Sequence, residues 1–207
     1  YQSLLKSNDY NLVYKKAIEY YNKGDYQRAM NLLDGVRSVF VGQAKAQNIA
    51  YYRAFCSYNM KDYQIASDLF KQFIQTYPES SFAEECLYMM GFCDYKASPK
   101  PRLDQQVTEK AIREFQLYLS RYPYSMRKDK VNTYMDEMRD KLSYKAYLSA
   151  KNYYLREHYK AAVISLQNCL KDYPGSKYRE EIMYMLFVSK YQMAVNSVED
   201  KKVERYN

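Results

Sequence analysis

The sequence contains no tryptophan, one histidine, four cysteines, and only five glycines and five prolines in 207 residues. So little Gly and Pro, beside abundant Ala, Leu, Lys, Glu, Gln and Met, disfavours a turn-rich β architecture and favours helices. No run of 18 apolar residues occurs, so no segment reads as a membrane-spanning helix. No signal peptide precedes Tyr1, and the chain reads as soluble or as a processed or trimmed product. Cys56, Cys86, Cys93 and Cys169 show neither CxxC spacing nor an accompanying histidine cluster, which argues against a zinc site or a disulfide framework. Cys86 and Cys93 stand two helical turns apart, roughly 10 Å, too far for a bridge. No Gly-rich phosphate loop or catalytic triad candidate is visible, and the lone His158 reads as a solvated turn residue. The expectation is a protein without enzymatic activity, catalytic residues, metal site or cofactor.

Charge of one sign is in excess: 32 Lys and Arg against 24 Asp and Glu leave a net charge of +8. The cations are dispersed among the acids rather than gathered in a stripe, so a nucleic-acid partner is not expected.

What the sequence does have is a repeat. Tyr-Pro-x-Ser occurs at 77–80, 122–125 and 173–176, each time after an apolar, helix-like run. Ala66, Ala111 and Ala162 stand twelve residues before the three prolines, and Phe70, Phe115 and Leu166 follow four residues after each alanine. A further copy has Ala29 and Leu33, with Val41 in place of the proline. The turns KGDY, MKDY and REHY, ending at Tyr26, Tyr63 and Tyr159, recur just before the alanine helices. An Ala and a large residue one turn apart share a helical face, letting a partner helix approach at Ala and wedge against Phe or Leu. Proline then stops the helix. The serines Ser80 or Ser81, Ser125 and Ser176 are expected to N-cap the next helix, with Ser81 and Glu84 fitting a capping box.

This spacing of about 34 residues is the tetratricopeptide pattern, and AIEYYNKGDYQRAMNLL, from Ala17, is its closest single match. Ala17, Ala54 and Ala150 stand where glycine is usual, and only Gly91 retains it. The predicted fold is all-α, a tetratricopeptide-repeat superhelix of about five helix pairs. Successive alanines are 37, 45 and 51 residues apart, so two insertions interrupt the period. ASPKPRLDQQ should be a loop between the helices of the third repeat, and residues 126–155 should form one long linking helix. Residues 180–196 should form a fifth first helix whose partner is cut off by the end of the chain. The division expected is 1–125, holding repeats 1–3 and a substrate groove, and 126–207, holding the linking helix and repeats 4–5.

The 27 tyrosines are the candidate binding chemistry. Two lie seven apart in every first helix: Tyr14 and Tyr21, Tyr51 and Tyr58, Tyr88 and Tyr95, Tyr147 and Tyr154, Tyr184 and Tyr191. With Phe55 and Phe92 between them, these form a stripe beside the small residues. The resulting apolar arc, roughly 160° wide, exceeds the ~100° that one packed face requires. Either the neighbouring repeat covers the surplus, or the stripe lines a groove in which Tyr offers an apolar body and a hydrogen-bonding tip. The peptide-binding candidates are Tyr14, Tyr21, Tyr51, Phe55, Tyr58, Tyr88, Phe92 and Tyr95. The pairs Glu84/Glu85 and Glu180/Glu181 read as first-turn acids that favour the helix dipole. Met89, Met90, Met135, Met138, Met183, Met185 and Met193 read as core filler.

Taken together, the repeats, the insertion SPKPRLDQQ, the linking helix with MRDKLSYKAYLSAKNYYLREHYKAA and the terminal VEDKKVER resemble the outer-membrane assembly lipoprotein family (BamD/YfiO-like), the tetratricopeptide subunit of the β-barrel assembly machinery. The resemblance runs over essentially the whole chain. It implies a non-enzymatic scaffold on the periplasmic face of the outer membrane, held by a lipidated N-terminal cysteine upstream of Tyr1. It further implies binding of the barrel insertase through C-terminal repeats and of unfolded outer-membrane proteins through an N-terminal groove. A periplasmic tetratricopeptide adaptor coordinating envelope division or cell-wall enzymes is the alternative; the two insertions argue against its regular spacing.

Overall fold

The computed structural model describes residues 8–197; the VEDKKVER segment, 198–205, lies outside the described residues. Among the described residues there are helices and no strand. The helices are α1 (Tyr10–Asn22), α2 (Tyr26–Val36), α3 (Ala44–Asn59), α4 (Tyr63–Thr76), α5 (Ala83–Ala97), α6 (Gln106–Arg121), α7 (Lys128–Leu155), α8 (Tyr159–Asp172) and α9 (Arg179–Val195). From α1 to α6 each helix packs on its chain neighbour, and α8 packs on α9. The chain is thus an all-α array of tetratricopeptide-type hairpins.

The predicted seam is present in full. Ala17, Ala29, Ala54, Ala66, Ala111, Ala150 and Ala162 are completely buried, as are Phe70, Phe115, Leu33 and Leu166. At Gly91 an added Cβ would lie 2.9 Å from the Phe115 ring, so glycine is required there by close approach.

Two turn motifs explain how the repeat is written. In KGDY, MKDY and REHY, the second residue adopts the left-handed conformation: Gly24 at φ +80, Lys61 at φ 67 and Glu157 at φ 59. In each, the amide of the next residue reaches back five positions, from Asp25 to Tyr20, Asp62 to Ser57 and His158 to Tyr153, all at 3.0 Å. These bonds satisfy carbonyls that the ending helix leaves open.

In Tyr-Pro-x-Ser, the tyrosine amide closes the last helical turn and the serine amide then bonds the tyrosine carbonyl. The serine hydroxyl accepts the amide two residues on, at 3.2 Å in each copy: Phe82 to Ser80, Arg127 to Ser125, Tyr178 to Ser176. This corrects the capping expectation. Phe82 and Tyr178 hold the N-cap positions without side-chain cap bonds, because the serine is used one step earlier to hold the post-proline turn. The Ser81–Glu84 box does not form, since Glu84 accepts instead from the hydroxyls of Tyr118 and Ser125 at 2.9 and 2.7 Å.

The inserted segment between α5 and α6 is a loop, as expected. Its buried Gln105 amide donates to the carbonyls of Lys100 and Leu103. The linking helix α7 is 28 residues long.

The chain divides into two compact units. One contains 8–99 and Gln106–Met135, the other Lys100–Gln105 and 136 onward. In the first, Val13, Ala17, Leu32, Leu33, Val36, Phe40 and Ile49 form part of a continuous apolar core. In the second, Tyr147, Ala150, Leu166, Cys169, Ile182 and Met185 do the same. The methionines Met89, Met90, Met135, Met138 and Met185 are buried, but Met183 is half exposed and is not core filler. It lies on the outer face of α9, where Tyr184, Phe187 and Tyr191 are also exposed.

Candidate functional site

The first helices of the first unit, α1, α3 and α5, carry the eight candidate rings; seven of them, from Tyr21 to Tyr95, belong to one aromatic network, while Tyr14 packs apart from it on Phe40. Tyr14 meets Phe40 at 6.2 Å between centroids. Tyr21 meets Tyr52 at 4.9 Å, and Tyr52 meets Tyr51 at 5.5 Å. Tyr51 packs on Phe55 at 4.5 Å, and Phe55 leads to Tyr58 at 6.4 Å. Tyr58 crosses to Phe92 on the next hairpin at 6.2 Å. Phe92 stacks on Tyr88 and Tyr95 at 5.7 and 5.9 Å, and Tyr95 stacks on Tyr134 of α7 at 4.5 Å. Seven of the eight rings keep part of their surface exposed, while Tyr88 is 8% exposed and buried.

Two of the first-helix hydroxyls hold neighbouring repeats together. Tyr51 donates to Glu85 at 2.8 Å, thirty-four residues on. The corresponding pair in the second unit is Tyr147 to Glu181, 2.7 Å and again thirty-four apart. Glu85 and Glu181 therefore do more than favour the helix dipole. Each takes the first-helix tyrosine of the preceding repeat, fixing the register of one hairpin on the next. Burial raises the titration of Tyr14, Tyr51, Tyr58 and Tyr88 and pushes Tyr21 up to about 12. The phenols are neutral donors near neutral pH.

Sequence reasoning missed three members of the network. Tyr52 links α1 to α3, Phe82 packs on Tyr51 at 4.6 Å, and Tyr134 covers Phe92, Tyr95 and Phe115. Tyr134 lies in the insertion, outside the repeat alignment, so no periodic signal pointed to it. The cation of Arg127 lies 4.9 Å over the Tyr88 ring, helping to close that end of the stripe.

Beside the stripe lies a buried charged cluster. Lys110 pairs with Asp94 at 2.9 Å and approaches Glu114 at 3.6 Å, and Ser67 hydrogen-bonds Asp94 at 3.1 Å. One Glu114 carboxyl oxygen has no partner. Burial, then the hydrogen bond and charge of Asp94, raise the Glu114 carboxyl to about 8. The four cysteines are buried free thiols. Among the described residues no group of three or more His, Cys, Asp or Glu side chains is placed to hold a metal. No helix among them is long and apolar enough to cross a membrane.

Comparison with known proteins gives one family: the model of YfiO, described as outer membrane lipoprotein, matches residues 6–205. No curated protein matches the chain.

Proposed function

From the premise that the chain belongs to the YfiO family of outer membrane lipoproteins, we propose that it is a non-enzymatic scaffold of the outer-membrane β-barrel assembly machinery, acting at the periplasmic face through an N-terminal lipid anchor. In this reading the first unit receives unfolded outer-membrane protein segments and the second engages the barrel insertase. The observation that carries it is the connected aromatic network on α1, α3 and α5, with six of its candidate rings partly exposed. A row of neutral, polar-tipped rings suits an aromatic-rich strand that has not yet folded, and holds it by contacts weak enough to pass it on. Tyr88, being buried, backs Phe92 rather than touching the substrate. The engagement of a partner by the second unit rests on the family likeness.

The test is binding of a fluorescent peptide with the aromatic-rich sequence of a barrel's terminal strand. Each aromatic anchor contributes about 1–2 kcal/mol, so the double variant Tyr58→Ala, Tyr95→Ala weakens binding by a factor of roughly 30 or more while helicity is retained. Unchanged affinity in a folded double variant contradicts the reading.

A further inference from the structure

The first insertion and the first helix of the fourth repeat contribute to one concavity in the second unit. The inserted loop supplies Arg102, and α7 supplies Tyr144, Lys145, Tyr147 and Asn152, to the lining of a cavity of about 790 Å³. The concavity is broad and open to solvent, a shape that admits an extended segment. Its aromatic lining is rigid: Tyr147 stacks on Tyr178 at 4.3 Å, and Tyr144 on Tyr178 at 5.3 Å.

The charge in this cavity is one-sided. Three cations line it and no carboxylate does. Lys151 is neutralised by Glu181 at 2.8 Å. Lys145 spends one hydrogen on a neutral acceptor, the carbonyl of Leu103, at 2.9 Å, which also ties the loop to α7. The exposed Arg102 stands on that loop. Two positive charges thus face a lining that offers them no counter-charge, beside stacked rings and the amide of Asn152.

We propose that this cavity binds an acidic, extended peptide segment in which a carboxylate neighbours an aromatic or aliphatic side chain. The carboxylate bridges Arg102 and Lys145, the apolar side chain lies on the Tyr144–Tyr178 stack, and Asn152 bonds the peptide backbone. Arginine's planar fork matches a carboxylate in two parallel bonds, and the concave wall gives the apolar side chain a place that a flat headgroup layer would not use. This site shares no residue with the aromatic stripe of the first unit and does not depend on the function proposed for that stripe.

The experiment titrates a labelled peptide alternating Asp or Glu with Tyr or Phe, and its Asn/Gln counterpart, into the full chain. The acidic peptide is expected to bind roughly ten-fold more tightly than the amide peptide, with affinity falling as salt is added. Arg102→Glu is expected to erase that preference. Arg102→Lys should retain part of it, and Lys71→Glu, an equal charge change on an exposed residue of the first unit, should leave it intact. Equal affinity for both peptides, a preference that survives Arg102→Glu, or the same loss in Lys71→Glu overturns the proposal. So does Arg102-dependent binding of vesicles containing phosphatidylglycerol with no binding of the acidic peptide.

Discussion

Gly91 and Phe115 are a pair that must be read together. The ring leaves no room for a Cβ, so Gly91→Ala forces a shift in a fully buried contact. The overpacking penalty of about 1–3 kcal/mol outweighs the gain of about 1 kcal/mol that alanine brings to a helix interior. Urea denaturation should therefore show Gly91→Ala as destabilised, and the double variant with Phe115→Leu as recovering part of the loss. Glu114 makes a second prediction at this scale. Lys110 belongs first to Asp94, so Glu114 is left buried, facing Asp94 and Cys93 from α5 and Asp68 near the same lysine from α4. Its carboxyl titrates near 8 when folded against an ordinary 4.5. Between those values the folded state holds a proton that the unfolded chain releases, so this group's contribution to stability falls as pH rises from about 4.5 to about 8 and is flat above. Denaturation midpoints across that interval should fall more steeply in the wild type than in Glu114→Gln. Parallel pH profiles for the two proteins would show that the group does not titrate there.

At the scale of the element, the hairpin turn shows how a repeat tolerates a poor residue. Gly24, Lys61 and Glu157 occupy one left-handed position, yet only the first is glycine. A side chain there costs about 1–2 kcal/mol, partly offset because glycine is freer in the unfolded chain. Lys61→Gly should thus raise stability by roughly 0.5–1 kcal/mol, and Gly24→Ala should lower it, both read as shifts in the denaturation midpoint. Between elements, the tyrosine-to-glutamate bond set thirty-four residues apart joins a hairpin to the next. It uses one residue of the aromatic stripe and one of the first-turn acids, groups that a single repeat gives no reason to connect.

At the scale of the whole molecule, the thiols report on each unit. Burial pushes Cys56 and Cys86 up to about 12 and raises Cys93 and Cys169 as well, so none is a nucleophile in the folded state. Iodoacetamide at mildly alkaline pH should label none of them until the protein opens. Cys169 belongs to the core cluster that includes Ile182 and Met185 of α9, a helix whose other face is exposed. The first-unit thiols Cys56, Cys86 and Cys93 lie on α3 and α5, which pack helices before and after them. In a repeat array, stability is approximately a sum of local terms, so Cys169 should become labelled at lower urea than the other three. Simultaneous labelling of all four would mean a single cooperative unit.

The helices, their seams and their order were legible in the sequence because they rest on local chemistry. Alanine before phenylalanine at one-turn spacing, proline as a stop and turn residues at fixed offsets act within a few residues of chain. The long α7 and the loop at 98–105 were legible for the same reason, as breaks in that rhythm. What each serine and acid does was decided only by the packed structure, since Ser80, Ser125 and Ser176 secure turns and Glu85 and Glu181 accept from distant tyrosines. The burial of Tyr88 beside its partly exposed neighbours, the closing of the stripe by Tyr134 and the cavity at Arg102 were equally out of reach. Each depends on where a residue outside the repeat comes to rest, and periodicity holds no information about residues that do not repeat.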